Sequence, residues 1–259
     1  MTFVNMSPTS HLKKGKVYIG TSGWSYPHWA KGTFYPKSVP TQNWLQYYAS
    51  IFNGVEVNST FYRLPNLSLL QKWNNVTPPN FTFSIKIWRR ISHDLRLRNV
   101  QKEIQDFYQS VLPLQEKTKV FLLQAPPSFV PDVSLLNEFF STWQEVFKRN
   151  LLAVELRNKK GFSEEVFDAM RKYNVSLCLE DYKSCSIDDV TTADWLYIRR
   201  HGPTGKYQGE YTQQQLKIEA EKITRYITSG RDVFIFFNND FNAYAPKNAL
   251  QLMCLLQGT

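Results

Sequence analysis

Several short apolar runs in this 259-residue chain end in side chains that can carry protons, charge or metal ions. The run at 55–58 ends with Glu56 and Asn58, the run at 81–86 with Lys86, and the run at 120–124 with Gln124. The run at 152–157 ends with Glu155 and Arg157, and the run at 175–180 leads into Glu180 and Asp181. Arg199 and His201 close the run at 195–199, and Asn238, Asn239 and Asp240 follow the run at 233–237.

These residue types suggest two kinds of chemistry. Glu56, Glu155 and Asp181 are the candidate general bases. Glu155 and Asp181 are also the candidate metal ligands, because carboxylates on neighbouring strands can share a proton or clasp a divalent ion. His201 is a ligand or proton shuttle, with a lone satisfied histidine equally expected. There are only four histidines, so an oxygen-dominated site favouring Mg2+ or Mn2+ is expected over zinc. Lys86, Arg157 and Arg199 are the candidate anion holders, the arginines because their fork matches phosphate or carboxylate. The bland alternative is a self-satisfied network, such as Glu155 with Arg199 and Glu56 with Lys86.

Two loops add binding groups. Trp24, Tyr26, Trp29, Phe34 and Tyr35 follow the first run, and Phe61 and Tyr62 precede Arg63 after the second. Aromatics beside cations suit stacking on bases or sugar rings. Tyr26, Trp29, Tyr62 and Arg63 read as substrate-binding with Asn58, Asn238, Asn239 and Asp240, whereas Phe34 and Phe61 read as packing. The segment Gly202-Pro203-Thr204-Gly205-Lys206 has the wrong spacing for a nucleotide-binding P-loop, but its backbone could cradle phosphate. No Gly-x-Ser-x-Gly elbow or dinucleotide glycine fingerprint follows any run. Runs four and seven do not end in a glutamate pair, which disfavours a retaining glycosidase.

The elements that must position these groups are strands at 17–21, 55–58, 81–86, 120–124, 152–157, 175–180, 195–199 and 233–237. Near-continuous apolar strands suit a parallel sheet buried on both faces. Amphipathic segments fall between them: 41–52, 99–112, 134–147, 163–173, 212–227 and 245–256. The sixth connection, 181–194, leaves room for only a minimal helix. Eight βα units predict a single (β/α)8 TIM-type barrel over 17–259 after a basic tail at 1–16, with its chemistry at the C-terminal mouth.

A chain that is 42% hydrophobic and 15% aromatic can bury one large core. A net charge of +9 favours anionic partners, either a small molecule or nucleic acid. Three cysteines, Cys178, Cys185 and Cys254, suggest free thiols in a reducing, cytoplasmic setting. Cys178 and Cys254 are expected to be packing residues. No membrane span or signal-like apolar stretch is evident.

The motifs Gly20-Thr21-Ser22-Gly23-Trp24-Ser25-Tyr26, Val55 to Pro65, Lys86 to His93, Gln124 to Phe129, Val154 to Arg157, Arg199 to Gly202 and Phe236 to Asp240 resemble the YecE-like family. That family is bacterial and archaeal and has no established function. The resemblance covers most of 17–252 and implies a TIM-type barrel. It breaks after Arg157, where Asn158-Lys159-Lys160-Gly161-Phe162 replaces the family's aromatic pattern ending in Trp.

The expectation is therefore an enzyme of hydrolase type acting on an anionic, phosphate-bearing substrate, with metal-assisted phosphoester or nucleic-acid hydrolysis as its concrete form. The alternatives are a sugar-type isomerase, epimerase or lyase using Glu155 with Lys86 or His201, and a non-catalytic module that binds an anionic ligand or nucleic acid. The first reading predicts that alanine at Glu155 abolishes turnover and leaves the melting temperature nearly intact. The oligomeric state is open.

Overall fold

The computed structural model describes residues 13–258. The tail expected at 1–16 lies mostly outside that range, and so does His11. Eight parallel strands run β1 (Val17–Thr21), β2 (Gly54–Val57), β3 (Thr82–Lys86), β4 (Thr118–Gln124), β5 (Leu151–Glu155), β6 (Ser176–Glu180), β7 (Leu196–Arg200) and β8 (Val233–Phe237). They pair in the order β1-β8-β7-β6-β5-β4-β3-β2, with consecutive strands adjacent, as right-handed βα units require. This is the (β/α)8 barrel expected from the strand pattern.

The seam between β1 and β2 closes differently from the rest. Only one parallel bridge, Ser22 to Glu56, joins the two strands. Side chains supply the missing ladder. The Asn53 amide accepts from the Ile19 N–H at 2.8 Å and donates to the Val17 carbonyl at 2.8 Å. The Tyr48 hydroxyl accepts from the Thr21 N–H at 2.8 Å and donates to the Gly54 carbonyl at 3.2 Å. These replace backbone partners that buried strand groups need. Gly20 permits the approach: a Cβ there would stand 2.0 Å from the Gly54 carbonyl oxygen.

Helices α1 (Trp44–Ile51), α2 (Ser59–Tyr62), α3 (Leu67–Val76), α4 (Gln101–Val111), α5 (Val133–Val146), α6 (Glu164–Lys172), α7 (Gln213–Thr228) and α8 (Tyr244–Gln257) wrap the cylinder. Several start where local chemistry dictates. Ser163 caps α6, Asp132 caps α5, and Thr212 with Gln215 forms a capping box on α7. The apolar residues form two separate clusters. The larger fills the space between sheet and helices. The smaller, including Tyr18, Val120, Leu122, Cys178, Trp195, Tyr197 and Phe234, plugs the barrel interior. The lumen floor is therefore packed with apolar side chains, and the charged residues sit at the rim above it.

Three features differ from the sequence expectation. Helix α2 occupies the segment expected as an aromatic loop, and α3 one for which no element is expected; Asn66 caps α3 by accepting from the Ser68 N–H. The sixth connection contains no helix; instead Ile187 folds back on Glu180 as an antiparallel bridge. Cys254 is exposed rather than packed, because its position on α8 turns it to solvent. No helix among the described residues is long and apolar enough to cross a membrane.

Replacing Tyr48 by Phe strips the seam of a donor and an acceptor. The buried Thr21 N–H and Gly54 carbonyl lose their partner, so stability should fall by about 1–3 kcal/mol in urea denaturation. Amide exchange at Thr21 should accelerate. An unchanged midpoint would mean that the seam does not depend on this hydroxyl.

Candidate active site

Period-two alternation places Glu56, Ser84, Lys86, Glu155, Cys178, Glu180, Tyr197 and Arg199 inside the barrel, because each follows an inward neighbour by two residues or opens its strand's inner row. By the same rule Arg200 points outward, where its guanidinium donates to Glu219 at 2.7 Å and Asp188 at 3.0 Å.

Arg199 is the hub of the inner set. It donates to Glu56 Oε1 at 2.7 Å and, by a short bond, to Glu155 Oε2. Glu56 also accepts from the Tyr197 hydroxyl at 2.7 Å and from the Asn58 amide at 3.2 Å. The other oxygen of Glu155 accepts from Arg157 Nε. Both acids and Arg199 are at most 2% exposed. Burial alone would raise both carboxyls, but the charge of Arg199 outweighs it and holds each below the usual range. Glu56 and Glu155 are thus permanently ionised and fully partnered, which leaves neither free as a general base. Arg199 is sealed from solvent and cannot grip a substrate phosphate. The expected pair of Glu155 with Arg199 is present, whereas Glu56 pairs with Arg199 rather than Lys86.

Three groups stay outside this balance. Glu180, 1% exposed, has no hydrogen-bond partner on either carboxylate oxygen. Burial, and then the charge of Glu155, pushes it up to about 9. His201 is fully buried, and its Nδ1 also lacks a partner; burial lowers its basicity. Lys86 donates to the Gln124 side-chain oxygen at 2.6 Å and sits 4.3 Å from the Phe61 ring centre. No carboxylate lies within ion-pairing distance of it among the described residues. Burial, then repulsion by Arg199, lowers it to about 8.

Arg157 bridges these groups. Its Nε lies 3.9 Å from Glu180 Oε2, and its terminal nitrogen is 3.2 Å from His201 Nε2 and donates to the Tyr207 hydroxyl at 3.2 Å. The Tyr182 ring covers the guanidinium at 3.9 Å. Tyr182 and Tyr207 thus roof the site. The Tyr207 loop owes its shape to positive φ at Gly202, Gly205, Tyr207 and Gly209. Its amides are spent internally: Gly202 on Tyr211, Gly205 on the Gly202 carbonyl and Tyr207 on the His201 carbonyl. The loop therefore offers no backbone phosphate cradle from these positions.

The remaining expected site residues are dispersed. Asp181 faces outward from Glu155; its carboxylate accepts from the His201 backbone N–H and, by a short bond, from the Tyr211 hydroxyl. The inward acid of that strand end is Glu180, which shares Cys178's face; the period-two pattern carried that signal. Trp29 is fully buried, edge-on to Phe34, so it is core and not a stacking platform. Asn239 donates to the Gly209 carbonyl and to Asn248, tying loop to helix. The Asn238 N–H continues the ladder to the Arg200 carbonyl. The Asp240 carbonyl receives Trp29 Nε1 and lies 2.7 Å from His28 Nε2, and burial raises the Asp240 carboxyl. Tyr62 is 73% exposed and Arg63 is exposed beside it. Tyr26 and Asn58 line a cavity of about 470 Å3 beside the mouth with Trp24, Trp73 and Lys72. Trp73 was not anticipated, because α3 was not.

Two of these unpartnered groups, with Glu155, also bear on metal binding. A carboxylate oxygen from Glu155, one from Glu180 and a ring nitrogen of His201 all lie within 4.8 Å of one another. The expected pair of Glu155 with Asp181 does not converge in this way.

Comparison with known proteins places the chain among close structural kin. The model of the family described as "Protein of unknown function DUF72" matches residues 18–259. The UPF0759 protein YunF of Bacillus subtilis is 26% identical, over 93% of this chain and 94% of its own. A DUF72 family protein of Thermotoga maritima superposes with a TM-score of 0.80 at 28% identity, covering 93% of this chain and 99% of that one. D-psicose 3-epimerase of Clostridium cellulolyticum H10, solved with D-tagatose, shares the fold at a TM-score of 0.59 and 12% identity, over 94% and 98% of the two chains.

Two stability measurements follow from the electrostatics. Because Glu155 neutralises two buried guanidiniums, Glu155→Ala should cost about 3–5 kcal/mol, contrary to the near-neutral change expected from sequence. A melting temperature within a degree of wild type would refute the network. For Lys86 the folded value, about 8, lies below the unfolded value of 10.5. The unfolded chain therefore binds more protons between those limits, and stability rises with pH across that window. Lys86→Met should melt above wild type at pH 7, with the gap closing as pH passes 8 towards 10.5.

Proposed function

The chain belongs to the DUF72 family of unknown function, and for it we propose an enzyme that moves a proton on a small, anionic, hydroxylated carbonyl compound, an isomerase- or epimerase-type reaction. The observation that carries this reading is Lys86. It is the lumen cation that has no carboxylate partner, and burial brings it to about 8, where it can both take and return a proton near neutral pH. Glu155 ends β5, two strands along the rim from Lys86 at the end of β3.

The surroundings support a small substrate. The mouth is roofed by Tyr182 and Tyr207, and the lumen beneath is packed with side chains, so no duplex strand reaches the charged layer. The adjoining cavity of about 470 Å3 mixes indole faces with the Asn58 amide and the Lys72 ammonium, a lining suited to a hydroxylated ring or chain. Exposed Lys31, Lys37, Arg63, Arg89 and Arg96 on the surrounding loops would draw an anion towards the mouth. A sugar epimerase with the same fold shows that such a barrel can host this chemistry; the likeness extends to fold alone. Phosphoester hydrolysis draws less support, because Arg157 and Arg199 are already neutralised by buried acids.

The test is carbon-bound hydrogen exchange. Purified protein is incubated in D2O with a panel of keto- and aldo-sugars, their phosphates and sugar acids, and deuterium uptake next to the carbonyl is followed by NMR. At least one compound should exchange. Lys86→Met should slow that exchange at least a hundredfold while retaining its fold. The wild-type rate should rise as pH approaches 8, as the neutral amine accumulates. Absence of exchange across the panel, together with cleavage of a model phosphodiester, would overturn the reading in favour of hydrolysis.

A further inference from the structure

We propose that Glu155, Glu180 and His201 form a binding site for one divalent transition-metal ion, an assignment that stands apart from the proton-transfer reading and does not depend on it. The first ground is convergence. Three donors from three consecutive strand ends, β5, β6 and the residue after β7, place ligand atoms within 4.8 Å of one another in a region almost closed to solvent. His201 Nδ1 and Glu180 Oε2 are 3.7 Å apart. Two atoms each about 2.2 Å from a shared ion are separated by roughly 3–4.4 Å, so this spacing fits a common ion.

The second ground is independent. Both oxygens of Glu180 and Nδ1 of His201 have no hydrogen-bond partner, although the two residues are 1% and 0% exposed. Orphaned polar atoms are uncommon in a protein interior, and each is costly. Here they lie side by side on adjacent strand ends and face one another. A cation between them would satisfy both residues at once. Asp181 anchors the backbone beneath His201: its carboxylate takes the His201 backbone N–H at 2.7 Å, and its Oδ1 lies 3.5 Å from Nδ1 itself, at the edge of the same site. Two carboxylates and an imidazole make a mixed oxygen–nitrogen set, suited to Mn2+, Fe2+, Co2+ or Zn2+ rather than Ca2+.

Arg157 is the built-in competitor. Its guanidinium bonds Glu155, approaches Glu180 at 3.9 Å and lies 3.2 Å from His201 Nε2, so in this conformation it supplies positive charge to all three donors. Entry of an ion would drive the guanidinium towards Tyr207 and the mouth. Removing it should therefore tighten metal binding.

Chelator-treated, full-length protein is titrated with MnCl2, and separately with ZnCl2. Binding is read by calorimetry, by loss of the free Mn2+ electron paramagnetic resonance signal, and by the rise in melting temperature. One ion per chain is expected. Glu180→Gln, which keeps shape and removes charge, should weaken binding at least tenfold, and Arg157→Met should strengthen it at least threefold. Circular dichroism confirms that each variant folds. No saturable binding of either ion by wild type, or equal binding by Glu180→Gln, overturns the proposal. Because no substrate is present, a positive result stands even if deuterium exchange fails, and a negative one leaves Lys86 untouched.

Discussion

Everything at the barrel mouth depends on Arg199. A guanidinium at 2% exposure is tolerable only where its charge is met at short range, and Glu56 on β2 and Glu155 on β5 both meet it. This fixes more than local geometry. The two acids belong to β2 and β5, so Arg199 on β7 ties three quadrants of the lumen into one charge-balanced layer. A buried ion pair contributes little net stability compared with an apolar substitute, but losing one partner is severe.

That arrangement decides which side chains are left to act. Two acids consume two arginines, since Arg157 joins Glu155 as Arg199 does. Glu180 is the further acid, and its nearest guanidinium, Arg157, is bonded to Glu155 and reaches it only at 3.9 Å. Lys86 is in the opposite position, a cation whose nearest carboxylates are already committed. The low dielectric that strengthens the central pairs also penalises these unpaired groups. Their shifted proton affinities are the electrostatic remainder of a network that balances without them. Unusual proton affinity inside a cleft is a physical mark of functional sites, although structural networks also produce it.

The fold was legible from sequence because its signals are local. β1 and β8 begin and end where the apolar runs do, and Ser163 and Thr212 cap helices as their side chains predict. The barrel seam was not legible. Nothing in the pattern around Asn53 or Tyr48 announces that a side-chain amide and a phenol will stand in for a strand ladder, since both interactions join residues more than 25 positions apart. Helix α3 escaped notice because Leu67 and Leu69 are exposed, which blurs the apolar stripe. At the site, residue types identified the right strand ends but not the allegiances. Glu155 and Lys86 were found by type alone. The pleat turns successive side chains to opposite faces, so Glu180 and not Asp181 follows Cys178 into the lumen. Trp29 misled because aromatic character does not reveal depth.

The tyrosine roof links this static layer to entry of anything from solvent. Arg157 touches Tyr182 by its face and Tyr207 by a hydrogen bond, while its other contacts run down to Glu155 and His201. One side chain thus connects the lumen to the loop above it. That loop carries four positive-φ residues, and Gly205 packs so closely on the Asp181–Lys183 backbone that any Cβ would stand 2.5 Å from the Asp181 carbonyl oxygen. The loop is therefore seated on the connection that follows β6. Displacing the Arg157 guanidinium would remove the hydrogen bond that holds Tyr207 down. It would also leave Glu155 with Arg199 alone and take the nearest guanidinium away from Glu180 and His201. The roof of the mouth and the charge balance beneath it therefore share one side chain, Arg157.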